Sequence, residues 1–311
     1  MINILKIKKQ KRPIKELLEF CIINVNKPAG MTSFDVCDKI RRILNAKKTG
    51  HFGTLDPQVT GVLPIAINRA CRLSNFFMHK DKEYIGEMYC HKQISEKNLK
   101  KQMKGFLGNI MQKPPVHSRV KRVLRQRRIN KFKIISKTNA KNLYENFKKK
   151  IEKNPKKFSF YANVEAGTYI RKLIHDLGEK IGGAHMIKLK RISAGIFKEK
   201  KTHEIKDIEN AFKEYKLGNE KELRKILLPG EIIKKITLKI KIKKRAIKSL
   251  LNGGPLIKKD IKKSFLNFKR LKKLTLISVF YKNKLLGIYE FQKETPLNNK
   301  KIIAKPKFIL N

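Results

Sequence analysis

The chain has 311 residues and carries 76 lysines and arginines against 25 aspartates and glutamates, a formal net charge of +51. Hydrophobic residues make up 41% of the chain, which is enough for a packed core and excludes disorder along its whole length. Such a charge attracts polyanions, although a nucleotide bias in a genome can also enrich lysine, isoleucine and asparagine without selection for binding.

The sequence shows no signature of a membrane protein or a disulfide framework. No apolar run approaches the roughly 18 residues that span a bilayer, and the N-terminus turns basic too early for a signal peptide. The chain has four cysteines and no Cys-x-x-Cys pair or zinc-like spacing with histidine. We therefore expect a soluble, intracellular protein without a metal site.

The N-terminal part predicts a strand, a helix and a second strand. Ile22–Val25 has the pattern of a short strand and is followed by a Lys-Pro-Ala-Gly turn. Thr32 with Asp35 three residues later resembles a capping box, and apolar residues at helical spacing follow it. Val62–Ile67 is short and apolar and predicts a buried strand, in which Pro64 requires an edge or bulge position.

Between these strands lies a loop with one carboxylate. Of the twelve residues from Gly50 to Gly61, four are glycine or proline, and they surround Asp56. The plain interpretation is an Asp-Pro turn. The alternative is a loop that approaches a flat heterocycle closely, with His51 available to stack on it or to donate a hydrogen bond.

The middle of the chain predicts further strands and one long helix. Glu83–Cys90 and Phe158–Val164 have strand patterns, and apolar residues recur at helical spacing over Ile170–Ile181. Strands and helices thus mix up to about residue 230, which indicates an α+β domain. Tyr84 is ambiguous, because a strand tyrosine is more often a core residue than one that stacks on a base.

A carboxylate that acts as a nucleophile must stay ionised in a pocket poor in water, which favours a cationic partner. Arg171, in the first turn of the predicted long helix, is the candidate. Chemistry alone does not establish that Asp56 pairs with Arg171, because the two residues are far apart in the sequence. The sequence is equally compatible with an Arg171 that lies on an exposed helix face.

Two segments carry clusters of basic residues. The segment Lys121–Arg128 has five basic residues in eight, which favours a phosphate track over a solvated face. Ile236–Lys243 alternates apolar residues with lysines, which predicts a half-buried strand with a lysine face. The candidate residues for contact with nucleic-acid phosphates, which the resemblance described below identifies with RNA, are Lys121, Arg122, Arg125, Arg127, Lys239 and Lys241.

After this strand the chain predicts a small, strand-rich domain. A short apolar helix pattern precedes a glycine pair, and two strand patterns, Leu274–Tyr281 and Leu285–Phe291, flank a turn at Lys282–Lys284. The simplest interpretation of this C-terminal segment is a domain of about eighty residues.

Taken together, these segments resemble the TruB family of pseudouridine synthases, and specifically its dyskerin branch, the catalytic protein of box H/ACA ribonucleoproteins. The matching blocks stand in family order from about Leu17 to Glu231 and are NKPAGMTSFDV, KKTGHFGTLDPQVTGVLPIAINRACRL, KEYIGEMYCH, QKPPVHSRVKRVLRQRR, EAGTYIRKLIHDLGEKIGGAHMIKLKRISAG and HEIKDIENAFKEYKLGNEKELRKILLPGE. The GTLDP and GTYIRKL blocks are the most specific to the family.

The resemblance implies an α+β catalytic domain, with a mixed, largely antiparallel sheet and flanking helices, and a small β-barrel PUA domain that grips the guide RNA. The implied boundaries are a basic N-terminal extension at 1–20, the catalytic domain at 21–231 and the PUA domain at 232–311. No cofactor or metal is implied. Three departures are Arg119, where the family usually has a small residue, Cys21, where it usually has a glycine before the first strand, and a less clear glycine turn in the PUA-like tail.

The resemblance also assigns roles to residues of the site. It makes Asp56 the catalytic aspartate and leaves open whether it attacks the ribose or the base. The substrate-binding residues that it implies are Tyr84, Arg171, His51, Lys27 and Leu189.

The expected function is that of an RNA-guided isomerase acting on ribosomal and other stable RNAs in ribosome biogenesis. Its expected partners are a box H/ACA guide RNA, the target RNA and the small core proteins of the particle, without a membrane. One alternative is a stand-alone synthase for the T-loop uridine of transfer RNA, and another is a non-catalytic RNA-binding assembly protein. The compartment is expected to be the nucleolus in a eukaryote and the cytoplasm in an archaeon.

Overall fold

The computed structural model describes residues 12–115, 120–135, 154–262, 271–297 and 300–310. The chain divides into two compact units, Met1–Leu228 and Pro229–Asn311. The division falls three residues before the domain boundary expected after Glu231. In the described residues no helix is both long and apolar enough to cross a membrane.

The first unit mixes helices and strands along the chain. Its described helices are α1 (Ile14–Glu19), α2 (Ser33–Ile43), α3 (Ser74–Met78), α4 (Glu96–Lys104), α5 (Ile170–Ile181), α6 (Ile205–Lys216) and α7 (Lys221–Ile226), with 3-10 turns at Arg69–Leu73 and Glu199–Lys201. Its described strands are β1 (Phe20–Lys27), β2 (Thr49–His51), β3 (Thr60–Asn68), β4 (Lys82–Cys90), β5 (Gly108–Gln112), β6 (Arg125–Ile134), β7 (Lys157–Val164), β8 (Ala184–Ala194) and β9 (Phe197–Lys198), and β10 (Leu228–Pro229) lies at the unit boundary.

One large sheet organises this unit. Its strands run in the order β1-β3-β8-β4-β7-β6-β5, with β2 paired to β3 and β9 to β8. The pairs within this set are antiparallel except β3–β8, which is parallel and places Gly61 beside Arg191. The expected α+β class, with a mixed and largely antiparallel sheet and accompanying helices, is confirmed.

Local sequence signals explain the ends of several elements. The hydroxyl of Thr32 accepts a hydrogen bond from Asp35 N at 3.0 Å, and Thr32 N donates to the Asp35 carboxylate at 2.9 Å, so the predicted capping box starts α2. Helix α5 has the predicted span and ends at Gly182, whose φ of +81° suits glycine. Helix α1 lies inside the segment expected to be a basic extension and buries Ile14 in the core.

The predicted edge or bulge position of Pro64 is wrong. Pro64 lies in β3, which is paired on both sides, and it stands opposite Asn24 of β1 without a register shift. On the other side its carbonyl accepts from Phe52 N at 3.0 Å, just after β2 ends at His51. Because the N–H and C=O of one strand residue point to the same side, Pro64 needs no donor where its neighbour strand has ended.

The second unit is a smaller, strand-rich body with its own apolar core. Its described elements are 3-10 turns at Gly230–Lys235, Lys244–Ala246 and Lys258–Asp260, helix α8 (Ile247–Leu251) and strands β11 (Leu238–Lys241), β12 (Leu256–Ile257), β13 (Leu276–Tyr281), β14 (Lys284–Leu297) and β15 (Lys300–Ile309). The strand order is β11-β13-β14-β15-β12. The predicted lysine-faced strand is shorter than expected, because Ile236 ends a 3-10 turn and only β11 is extended.

Candidate active site at the Asp56 loop

The loop that carries Asp56 joins β2 to β3, which pair antiparallel, so it leaves and re-enters the sheet at one place. Leu55 and Val59 are buried and anchor the loop in the core. The Ser33 hydroxyl of α2 accepts from Leu55 N at 2.8 Å and donates to Leu55 O at 3.1 Å. With its neighbours held in this way, the Asp56 side chain is left about half exposed, at 51%.

Arg171 forms an ion pair with Asp56 through Nη2 and Oδ2. The arginine lies in the first turn of α5 and is 54% exposed, so the ion pair is accessible to solvent. An exposed ion pair contributes only about 0–1 kcal/mol to folding. Its contribution is therefore mainly to orient the carboxylate.

Lys27 binds the backbone of the Asp56 loop. It lies at the end of β1, is 1% exposed, and its Nζ donates to the carbonyls of Pro28 and Pro57 at 2.8 Å each. Burial lowers the pKa of Lys27, and the negative charge of Asp56 acts against that decrease. The ammonium thus holds the backbone one residue beyond Asp56 and places a positive charge near the carboxylate.

His51 lies at the entrance of the loop, at the end of β2. Its Nδ1 accepts a long hydrogen bond of 3.4 Å from Gly53 N. Burial, followed by the positive charge of Arg191, lowers the pKa of His51, so the imidazole is neutral near pH 7. A neutral half-buried ring can stack on a base without adding a charge to the pocket.

Tyr84 and Leu189 lie on the neighbouring strands β4 and β8. Both are buried and belong to the same core cluster as Leu55 and Val59 of the loop. Tyr84 stands opposite Arg191 in the β4–β8 pair. The structure therefore brings the residues expected at the site to one loop and the strands around it, although their roles stay predictions.

The sequence reasoning missed Arg191, which lies under the Asp56 loop and is 1% exposed. Its guanidinium donates to the carbonyls of Val62 at 2.8 Å, Gly53 at 2.9 Å and Thr54 at 3.4 Å. Strand alternation was the available signal, because Arg191 is two residues from Leu189 and so shares its face. Lys82 stands in the same relation to Tyr84 and is also buried.

Gln112 is a second residue that the sequence reasoning missed. It is buried at the end of β5, and its side-chain amide brackets the Tyr169 backbone: Nε2 donates to Tyr169 O at 3.2 Å, and Oε1 accepts from Tyr169 N at 3.0 Å. Tyr169 immediately precedes α5, so these bonds fix the start of the helix that presents Arg171. No pattern in the sequence distinguishes this glutamine.

The residues expected to contact RNA lie in both units. In the first, Arg125 and Arg127 lie on β6, and a Cβ built on Gly167 would stand 3.0 Å from Nη2 of Arg127, which therefore lies over the turn before α5. Lys121 is exposed, and Arg122 Nε donates to Pro114 O at 3.4 Å. In the second unit, Lys239 and Lys241 are exposed on β11. Arg119 lies outside the described residues.

Three side chains of α5 place possible metal-ligand atoms within 4.8 Å of one another: those of His175, Asp176 and Glu179. His175 and Glu179 are exposed, and the Asp176 carboxylate pairs with Lys172. Groups of this kind are common on protein surfaces without a metal. The absence of a metal therefore stays a prediction from the sequence.

We expect a pH-dependent contribution to stability from Lys82. Burial lowers its pKa from 10.5 to about 8. Between these pH values the unfolded chain binds a proton that the folded protein has released, so the stability contributed by this site rises with pH from about 8 to 10.5. Urea unfolding at several pH values should show that Lys82→Met removes this rise.

The control for that measurement is Lys97→Met, which removes one positive charge from an exposed position of α4. The comparison matters because the net charge of +51 makes the whole protein sensitive to pH. An identical pH dependence of the free energy of unfolding in wild-type and Lys82→Met protein would contradict the prediction.

Two family models match the chain. The model described as TruB family pseudouridylate synthase (N terminal domain) matches residues 41–96, and the model described as tRNA pseudouridylate synthase B C-terminal domain matches residues 171–233. The first match contains the Asp56 loop and Tyr84, and the second begins at Arg171.

Curated relatives and solved structures cover most of the chain. A protein of Nanoarchaeum equitans named probable tRNA pseudouridine synthase B is 40% identical over 261 residues, covering 83% of this chain and 70% of that protein. A protein of Archaeoglobus fulgidus with the same name is 37% identical over 281 residues, covering 89% and 81%.

Two solved structures match at 97% coverage of this chain and 88% of theirs. A chain in the crystal structure of a Cbf5–Nop10–Gar1 complex superposes with a TM-score of 0.82 at 32% identity. A chain in the structure of an H/ACA ribonucleoprotein bound to a substrate RNA containing 2′-deoxyuridine superposes with a TM-score of 0.81 at 30% identity.

Proposed function

The chain belongs to the TruB family of pseudouridine synthases, isomerases that convert uridine to pseudouridine in RNA, and we propose that Asp56 is its catalytic residue and that a guide RNA selects its targets. The observation that carries this proposal is the half-exposed Asp56–Arg171 ion pair on a loop whose neighbouring residues are anchored in the apolar core. A protein that only binds RNA has no use for a carboxylate there, because it repels phosphates.

The site residues fit the steps of the isomerisation. The target uridine leaves its stack, the N1–C1′ bond breaks, the uracil turns, and C5 bonds to C1′ as the C5 proton is lost and N1 gains one. Asp56 supplies a charged oxygen for attack on the ribose or the base, and Arg171 orients it. We assign the buried Tyr84 and Leu189 to apolar contact with the detached uracil, and the neutral ring of His51 to stacking on the nucleotide.

Guide dependence is supported by the solved relatives. The two matching chains come from complexes whose titles name Cbf5 with Nop10 and Gar1, and an H/ACA ribonucleoprotein with substrate RNA. We propose the same class of partners for this chain, namely a box H/ACA guide RNA, a target RNA and the small core proteins. The names of the curated relatives favour a second candidate, a synthase that acts directly on transfer RNA.

The basic surfaces supply contacts for these RNAs. We propose that Lys121, Arg122, Arg125 and Arg127 contact the target RNA near Asp56, since Arg127 lies over the turn before α5. We further propose that residues 232–311 form a PUA domain that uses Lys239 and Lys241 on the guide RNA. The matching relatives named above are archaeal, which favours action in the cytoplasm of an archaeon over the nucleolus.

Reconstitution tests the proposal. The purified chain is mixed with a ribosomal RNA fragment or an unmodified transfer RNA transcript, with and without a matching H/ACA guide RNA and the small core proteins. We expect pseudouridine in the ribosomal fragment only when the guide is present. A guide with altered complementarity is the control, and it should move the modification to the uridine that it now selects.

Two outcomes would contradict guide dependence. Conversion of the T-loop uridine by the chain alone would establish the stand-alone enzyme. RNA binding without pseudouridine in either substrate, in the presence of all partners, would favour a non-catalytic assembly protein.

A further inference from the structure

Arg191 is the largest side chain among the fully buried residues that the structure describes. Its three hydrogen bonds reach Gly53 and Thr54, which precede Asp56, and Val62, which follows it. A single guanidinium therefore ties the entry of the Asp56 loop to its exit.

A cation at this position is costly. Burial lowers the pKa of Arg191, and the free-energy penalty for removing an ion from water is several kcal/mol. The three loop bonds are made to backbone carbonyls, which offset that penalty only in part. An apolar side chain of similar volume would pack without the penalty, so packing alone does not account for an arginine.

The guanidinium has a geometric advantage that explains its use here. It carries five N–H donors in a planar fork, so one group can reach carbonyls on two separate segments of a loop. A lysine at the same place could direct only one nitrogen. Alignment of the strands does not require these bonds, because the β3–β8 pair already sets Gly61 beside Arg191 through the backbone.

Arg191 also contacts the other side of the site. Tyr84 stands opposite it across β4 and β8. Interaction with the Tyr84 side chain acts against the effect of burial on the pKa of Arg191. Arg191 therefore bonds the Asp56 loop and lies beside Tyr84 of β4.

We propose that Arg191 is a positioning residue of the reaction, which locks the Asp56 loop against Tyr84 so that the carboxylate and the ring face the same nucleotide. This inference rests on the proposed function, since it assumes that the chemistry takes place at Asp56. Displacement of a catalytic group by about 1 Å is enough to lower a rate by about 100-fold.

The first test is kinetic and uses the reconstituted particle at saturating enzyme. Arg191→Met and Arg191→Lys should each lower the single-turnover rate of pseudouridine formation by about 100-fold. Affinity for the RNA should stay within about twofold, because Arg191 is buried and cannot reach a phosphate. If Arg191→Met fails to fold, Arg191→Lys provides the test, because lysine keeps the positive charge but lacks the planar set of N–H donors.

The matched control is Arg224→Met, which removes another largely buried guanidinium, 16% exposed. Arg224 pairs with Glu220, and its Nη1 donates to Arg12 O at 2.7 Å, so neither partner belongs to the Asp56 loop. This variant should change stability while its single-turnover rate stays within about threefold of the parent. A parent-like rate in a folded Arg191 variant would overturn the inference.

Hydrogen exchange keeps the inference testable if the parent protein forms no pseudouridine, which would contradict the proposed function by itself. The amides of residues 53–61 should exchange at least about tenfold faster in Arg191→Met, while those of β4 and β7 stay protected. Unchanged protection of the loop would overturn the positioning role whatever the activity.

Discussion

Asp56→Asn is expected to abolish pseudouridine formation while the protein still folds and binds RNA. Asparagine has nearly the same shape but no charge, so it cannot act as a nucleophile. Loss of a nucleophile lowers the rate of a covalent mechanism by about 10⁴-fold or more. Folding should be retained, because the Asp56 side chain is half exposed and its ion pair contributes little to stability.

The measurement is a transcriptome-wide pseudouridine map in cells whose only copy of the protein carries Asp56→Asn. Asp38→Asn is the control, because this aspartate of α2 pairs with Arg41 and Arg42 on its own helix. Loss of many scattered ribosomal RNA sites would establish the guided enzyme. Loss of a single T-loop site would establish the transfer RNA enzyme, and an unchanged map would contradict the catalytic role.

Gly61→Ala is expected to destabilise the first unit by about 4 kcal/mol or more. The φ of Gly61 is +101°, and a Cβ at this position would lie 2.2 Å from the carbonyl oxygen of Arg191. That oxygen belongs to the backbone of a central strand and cannot turn aside. The melting temperature should therefore fall by about 8–16 °C.

Gly108→Ala separates the two causes of this loss of stability, which are backbone strain at a positive φ and the close contact with the Arg191 carbonyl. Gly108 also has a positive φ, +85°, but a Cβ built on it meets nothing within 4 Å. Its replacement should cost only the backbone strain, about 1 kcal/mol. Equal losses of stability in the two variants would show that the contact with Arg191 is relieved by movement of β3 or β8.

Much of the fold could be predicted because its signals are local. The capping box of Thr32 and Asp35 and the helical spacing over Ile170–Ile181 predicted α2 and α5, and the turn at Lys282–Lys284 matches the end of β13 and the start of β14. Each of these signals lies within a few residues of the element that it controls. The position of Pro64 was predicted wrongly because it depends on where a neighbouring strand ends.

The residues of the candidate site also fall into those that local sequence signals predict and those that only the fold brings together. The loop sequence around Asp56 identified the carboxylate, since glycine and proline spacing is a local property, and the resemblance to a family supplied Arg171 as its partner. Only the fold brings them into contact, across 115 positions of the chain. Gln112, which fixes the start of α5 through Tyr169, gave no signal in the sequence.

By itself, the sequence determined the class of protein, the start of α2, the span of α5 and the carboxylate of the loop, because capping, turns and periodicity act between near neighbours. Tertiary structure decided what holds that carboxylate in place. The hydrogen bonds of Arg191 to Gly53, Thr54 and Val62 join residues more than 125 positions apart. The hydrogen-bond acceptors of a buried cation depend on which carbonyls the sheet brings together. No local sequence pattern predicts how distant strands pair.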